Sequence, residues 1–186
     1  SCPCDDRNLQ FHAQRQFGNP LADPVFQGLK TGDTVNMLGP RGEFVLREDS
    51  PRTGVFIAWD TGIAPIKSLI EHAMALDVAD SLHLYWFALP GHGHYLGNLF
   101  RAWSDALDNF HFTPVEVPMA AGTDPARLRA ELARVMHDHP LLRDCDVYVS
   151  GTPALLDAAR ELLLAQGLPV EQLALDVPLP RPPAPP

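Results

Sequence analysis

The rhythm of apolar and polar positions changes near residue 50. Before it, Leu9-Gln10-Phe11-His12-Ala13-Gln14 alternates with a period of two, which predicts a half-buried strand. The turns Lys30-Thr31-Gly32-Asp33 and Gly39-Pro40-Arg41-Gly42 set off two further expected strands, at 34–38 and 43–46. A short helix is expected over 22–29, limited by Pro24. Three short strands joined by tight turns make an antiparallel piece with open edges, too little sheet for a closed barrel.

After Pro51 the pattern is different. Gly54-Val55-Phe56-Ile57-Ala58-Trp59 is a continuous apolar run, as a strand covered on both faces requires. A helix follows over 63–76, with Ile66, Leu69, Ile70, Ala73 and Met74 on one face. Next come a strand at 81–87, a helix at 96–107 and a strand at 110–117. Trp103 stands at helical spacing with Leu99 and Leu107, which marks it as core. Asp124-Pro125 opens a helix in the favoured cap-then-proline order, running to about residue 137. A short strand at 146–149, a helix at 153–165 stopped by Gly167 and Pro169, and a strand at 172–175 complete the series. Strands alternating with helices predict an α/β fold, a five-stranded parallel sheet with helices on both faces. The expected divisions are 1–50, 51–176, and a proline-rich extended tail at 177–186.

Bulk properties narrow the function. With 186 residues, 46% of them apolar, the chain buries a real core. No apolar run approaches the roughly 20 residues that span a bilayer. A net charge of −9 opposes a nucleic-acid partner. The start, Ser1-Cys2-Pro3-Cys4-Asp5-Asp6, lacks an initiator Met and a signal-peptide pattern, and reads as a cut inside a longer protein. Cys2, Cys4 and Cys145 form no disulfide framework and suit a reducing cytoplasm. Cys2-x-Cys4 lacks the spacing of common metal pairs and reads as two incidental thiols. Gly91-His92-Gly93-His94-Tyr95 and His137-Asp138-His139 each offer two histidines without a supporting third ligand, so both read as exposed loop histidines and no metal is expected. Glu71 and His72 read as the solvent edge of their helix.

In an open parallel sheet, ligands bind beyond the carboxyl ends of the strands, where strand order reverses. Two loops qualify. The first, Ala58-Trp59-Asp60-Thr61-Gly62-Ile63-Ala64-Pro65, joins the first apolar strand to its helix. Gly62 has no Cβ to block an approaching ligand, and the amides that open the helix favour an anion. The second, Tyr148-Val149-Ser150-Gly151-Thr152-Pro153, repeats the construction on a later strand.

The ordered blocks Gly32-Asp33-x-Val35, Gly39-Pro40-x-Gly42-x-Phe44-x-Leu46, Thr61-Gly62-Ile63-Ala64-Pro65 and Ser150-Gly151-Thr152-Pro153 resemble the ferredoxin–NADP reductase family over nearly the whole chain. The resemblance implies a Rossmann-like nucleotide-binding domain preceded by a partial antiparallel β-barrel, the remnant of a flavin-binding domain at 1–50. It implies FAD in the complete protein, NADH or NADPH as donor, and an iron–sulfur electron-transfer protein or domain as acceptor. By the same resemblance, Asp60, Thr61, Gly62, Ala64 and Pro65 would cradle the dinucleotide, with Ala88 at the end of the second strand. Gly151, Thr152 and Pro153 would position the nicotinamide, beside Ser150 in the place of the family's active-site cysteine.

The departures carry information too. The family's Arg-x-Tyr-Ser flavin motif is absent, and Ala22 replaces the serine of its flavin-pyrophosphate turn. Trp59 and Asp60 stand where two glycines usually precede Thr61-Gly62. A carboxylate about 5 Å from a phosphate costs about 3 kcal/mol at an effective dielectric near 20, unless Asp60 instead accepts a ribose hydroxyl. Leu89-Pro90-Gly91 occupies the place of an arginine suited to a 2′-phosphate, which favours NADH. The alternative is a reductase-like interaction or assembly module that has lost dinucleotide binding.

Overall fold

A computed structural model describes residues 8–14, 22–37, 39, 41–91, 93–117 and 124–178. Cys2, Cys4, Leu38, Pro40, His92, most of the expected flavin-pyrophosphate turn and the tail beyond Pro178 lie outside the described residues. The elements are α1 (Ala22–Gln27), β1 (Thr53–Trp59), α2 (Ile63–Leu76), β2 (Leu82–Ala88), α3 (Gly97–Ala106), β3 (Phe110–Glu116), α4 (Pro125–Asp138), β4 (Cys145–Ser150), α5 (Pro153–Ala165) and β5 (Leu173–Leu175). All five strands are parallel, in the order β3-β2-β1-β4-β5. The chain therefore winds outward from β1 to β3, then returns across the sheet to place β4 on the other side of β1. That reversal leaves a crevice between the carboxyl ends of β1 and β4.

Successive residues of the central strands feed two cores. Val55, Ile57 and Trp59 of β1, with Val147 and Val149 of β4, pack under Leu128 and Leu132 of α4 and Leu155 and Ala159 of α5. Phe56 and Ala58, with Leu84, Trp86 and Tyr148, pack on Ile63, Ile66 and Ile70 of α2 and Phe100 of α3. This two-sided burial explains the unbroken apolar run of β1. β3 is an edge strand, where Pro114 removes no ladder bond that the sheet needs. Trp103 packs edge-on against Phe100 and Phe110 as expected, whereas Leu107 is exposed beyond the end of α3. Asp124 caps α4 by accepting from Ala126 N at 3.0 Å, and Thr152 caps α5 by accepting from Leu155 N at 3.3 Å.

The first fifty residues differ from expectation. α1 ends at Gln27 rather than Leu29, before Gly28, and Pro24 sits in its first turn, where a missing N–H costs nothing. The expected strands at 9–14, 34–38 and 43–46 make no ladder among the described residues. Their alternation is real, but a strand requires a pairing neighbour, and Phe11 and Val45 remain 71% and 64% exposed. Residues 44–50 are nevertheless tied to the domain. Arg47 N donates to Tyr148 Oη at 3.0 Å, Ser50 Oγ donates to the Asp146 carboxylate, and Phe44 meets the Tyr148 ring edge-on.

Two histidine assignments also change. His94 is half-buried, with Nε2 2.8 Å from the Trp86 carbonyl, rather than free in a loop. His139 packs edge-on to His83, which in turn stacks beside His111, while the Tyr85 hydroxyl lies 3.0 Å from Asp138 Oδ2 and 3.1 Å from His139 Nε2. Spacing along the chain cannot report these partners, because they come from β2 and β3. Among the described residues, no group of three or more His, Cys, Asp or Glu side chains is arranged to hold a metal ion. No helix of the described residues is long and apolar enough to cross a membrane.

Candidate functional site at the switch point

Both predicted loops meet at the crevice. β1 ends at Trp59, residues Asp60–Gly62 form a single 3-10 turn, and α2 begins at Ile63. Asp60 has φ 50°, the left-handed region that glycine adopts freely and that aspartate tolerates better than most residues. This accounts for the resembling proteins' glycine at this position. Trp86 Nε1 donates to the Asp60 carbonyl at 3.0 Å, so β2 fixes the turn from beneath.

The glycines are required for chain-to-chain approach, not only for access by a ligand. A Cβ on Gly62 would stand 2.5 Å from the Ser150 carbonyl oxygen, and one on Gly151 would stand 2.6 Å from Trp59 Cβ. Each loop thus presses its glycine against the backbone or first carbon of the other. The space expected for a ligand at the Gly62 Cα is occupied by Ser150. A ligand must instead approach the turn from the side of Asp60 and Thr61.

That side holds a cavity of about 440 Å³, lined by His12, Gln14, Phe26, Asp60, Thr61 and Tyr95 among others. Gln14 Nε2 donates to Asp60 Oδ2 at 2.8 Å, and His12 Nδ1 lies 2.7 Å from Tyr95 Oη. Burial, reinforced by the charge of Asp60, pushes the Tyr95 phenol up to about 12, so it remains protonated across the physiological range. Burial also lowers His12, with Lys67 adding to the effect, which favours the neutral ring. Neither N-terminal position, Gly62 for α2 or Trp59 for the turn before it, supplies a side-chain cap.

The nicotinamide-side candidates divide. Ser150 is 1% exposed and donates through Oγ to Asp176 Oδ2 at 2.8 Å. Thr152 spends its hydroxyl on the α5 cap, and Pro153 is exposed at the first position of that helix. Ala64 and Pro65 are half-buried in the first turn of α2. Ala88 is buried, and its carbonyl accepts from Val117 N at 3.0 Å, so it joins the ends of β2 and β3. Sequence reasoning missed Asp176, Gln14 and Tyr95. An acidic residue directly after the last strand was the one available signal for Asp176. A second groove, of about 1000 Å³, runs between residues 41–47 and the segment from β5 to Pro178, with Asp176 in its wall. Cys145 is not a candidate nucleophile, because burial pushes its thiol up to about 11.

Relatives agree with this geometry. The model of the oxidoreductase NAD-binding domain matches residues 56–161, more than half of the chain. The chain is 29% identical over 171 residues to the CDP-6-deoxy-L-threo-D-glycero-4-hexulose-3-dehydrase reductase of Yersinia pestis, covering 90% of this chain and 50% of that protein. It is 30% identical over 181 residues to the terephthalate 1,2-dioxygenase reductase component 2 of a Comamonas species, covering 94% of this chain and 52% of the other. Among solved structures, the cytochrome P450 reductase GcoB of Amycolatopsis superposes with a TM-score of 0.66 at 26% identity, over 82% of this chain and 46% of that one. The chain spans about half the length of these relatives. From sheet order, switch-point loops and family match together, the chain belongs to the oxidoreductase NAD-binding domain family.

Proposed function

We propose that this chain is the nicotinamide-dinucleotide-binding part of a flavin-dependent reductase that passes electrons from NAD(P)H through FAD to an iron–sulfur acceptor. The observation that carries this is the start of α2, whose N-cap Gly62 carries no side chain, beside the Asp60–Thr61 wall of a cavity at the switch point of the sheet. Thr61, Gly62, Ala64 and Pro65 would hold the dinucleotide phosphates, with Asp60 beside them at the turn, where its carboxylate suits a ribose hydroxyl rather than a phosphate; Gly151, Thr152 and Pro153 would border the nicotinamide, with Ala88 at the neighbouring strand end. Ser150 would act through its bond to Asp176, which fixes the β4 loop, rather than as a nucleophile. When bound, the nicotinamide supplies a hydride, and the protein's task is orientation and exclusion of water. Such a task needs no catalytic triad.

Residues 1–50 form the last part of a flavin-binding barrel in this proposal, residues 51–176 the nucleotide-binding domain, and 177–186 a tail. The Arg-x-Tyr-Ser flavin motif is absent from the sequence, and no residue described here is assigned to the flavin ring. NADH is the preferred donor, since Leu89-Pro90-Gly91 offers no guanidinium to a 2′-phosphate. The cytoplasm suits the free thiol of Cys145. Calorimetric titration of the protein with NADH tests the assignment. Saturable binding is expected, and its absence would favour an interaction module that has lost the dinucleotide.

A further inference from the structure

We propose that Asp146 is a positioning residue: it seats residues 44–50, the end of the flavin-binding part, on the strand whose far end carries the nicotinamide loop. This inference rests on the reductase reading above. β4 is buried along its whole length, with Asp146 near its start and Ser150 at its end, about 13 Å away at the usual rise of a strand. Asp146 is 3% exposed, and two groups of the 44–50 segment meet its carboxylate. Ser50 Oγ donates to Oδ2, and Arg47 Nη1 lies 3.7 Å from Oδ1. Arg52 Nη1 donates in turn to Ser50 Oγ at 3.2 Å. The segment also holds Tyr148, two residues further along β4. Arg47 N donates to Tyr148 Oη at 3.0 Å, the Arg47 guanidinium lies 5.9 Å from the ring centre, and the ring stacks on Phe56 of β1. On the α2 side, His72 Nε2 lies 2.9 Å from Glu48 Oε1. Residues 44–50 thus touch both elements that carry the candidate loops.

Burying an acid on a strand covered on both faces is unfavourable unless the acid is paired. The pairing here is a poor source of stability. Asp146 Oδ1 and Arg47 Nη1 have no hydrogen-bond partner among the described residues, and apolar residues of similar volume often match or better a buried ion pair. What the acid supplies is a single seat. An apolar surface would accept the segment in several registers, whereas Asp146 is satisfied where Ser50 and Arg47 arrive together. That matters for hydride transfer, which needs its reacting atoms about 3–3.5 Å apart and slows about 100-fold when they are misplaced by about 1 Å. A flavin held by the residues before 44 is referred through this seat to the loop at Ser150. The reference runs along a rigid buried strand and not through a free hinge.

The test compares hydrogen exchange of the amides at 45–50, NADH affinity, melting temperature and the rate of flavin reduction by NADH in the complete flavoprotein and its variants. Asp146→Asn, which keeps an acceptor for Ser50 but loses the charge that faces Arg47, should speed exchange at 45–50 about tenfold. Flavin reduction should slow by about tenfold or more, while NADH affinity stays within about twofold. The paired variant Arg47→Met with Asp146→Leu separates seating from stability. Its melting temperature should equal or exceed that of the unmodified protein, yet exchange should remain fast and flavin reduction slow. A merely structural acid would behave otherwise, with the rate restored once the paired variant restores stability. That outcome overturns the proposal, as does an unchanged rate in both variants, or a loss carried by NADH affinity instead of by the rate. If the unmodified flavoprotein neither binds NADH nor has its flavin reduced by it, the reductase reading itself falls, and the proposal with it.

Discussion

Ser150 Oγ donates to Asp176 Oδ2 at 2.8 Å, joining the last residue of β4 to the first residue after β5. The bond is buried at the serine end, and a second link reinforces it, since Asp176 N donates to the Val149 carbonyl at 2.9 Å. The Ser150-Gly151 loop that faces Gly62 is thereby held by β5, the edge strand that pairs with β4. A hydrogen bond between a buried hydroxyl and a carboxylate leaves an unpaired hydroxyl if the acid is removed. Asp176→Ala should therefore destabilise the domain by about 1–3 kcal/mol in urea unfolding, whereas Asp176→Asn, which still accepts a hydrogen bond, should cost less.

Gly62→Ala and Gly151→Ala should each destabilise the protein and weaken dinucleotide binding together. The added carbon would meet the Ser150 carbonyl in one case and Trp59 Cβ in the other, and neither neighbour is a flexible side-chain tip. Overpacking of this kind typically costs about 1–3 kcal/mol. Urea unfolding alongside NADH titration measures both effects, and a stable variant with unchanged affinity would contradict the contact.

Acid should weaken the fold through the histidines at the far end of the sheet. Burial, with His139 and His111 nearby, lowers His83 from 6.5 to about 4, and burial lowers His139 against the opposing pull of Asp138. Both groups bind protons more readily in the unfolded chain. Stability is therefore complete above about pH 6.5 and falls as the pH drops toward 4, because the unfolded state takes up more protons in that window. His83 meets Ser81 of its own strand region, His111 of β3 and His139 just after α4, with the charge of Asp138 at the end of α4 opposing the shift. Denaturation midpoints across this range should lose part of their slope in His83→Phe.

Nucleotide choice should depend on the segment after β2. With no arginine at Leu89-Pro90-Gly91, NADH should bind at least as tightly as NADPH. Leu89→Arg should raise NADPH affinity about tenfold and leave NADH nearly unchanged, since only the 2′-phosphate gains a partner. Parallel titrations with both nucleotides check this.

Much of the architecture was legible in the residue pattern. The run at Val55 to Trp59, the cap-then-proline start at Asp124-Pro125 and the glycine–proline stop after Ala165 placed elements that the structure reproduces within a residue or two. The sheet order was not written there, because which strand lies beside β1 depends on how the connections pack. The two loops at Thr61 and Ser150 were visible as strand–glycine–helix junctions, and their mutual contact was not. Asp176 and Gln14 escaped notice for the same reason: each is remote along the chain from its partner and ordinary in its local pattern. In residues 9–46 the period of two was correctly seen, but alternation records a face seeking burial and not the strand that will pair with it.

The most direct test of the account is an amide NMR titration of the isotopically labelled protein with NADH. The largest shifts should fall on Thr61, Gly62, Ile63 and Ala64 at the start of α2, with a second group at Gly151 and Thr152. Shifts confined to the opposite end of the sheet, around His83 and His139, or no shifts at millimolar NADH, would contradict a dinucleotide site at the switch point.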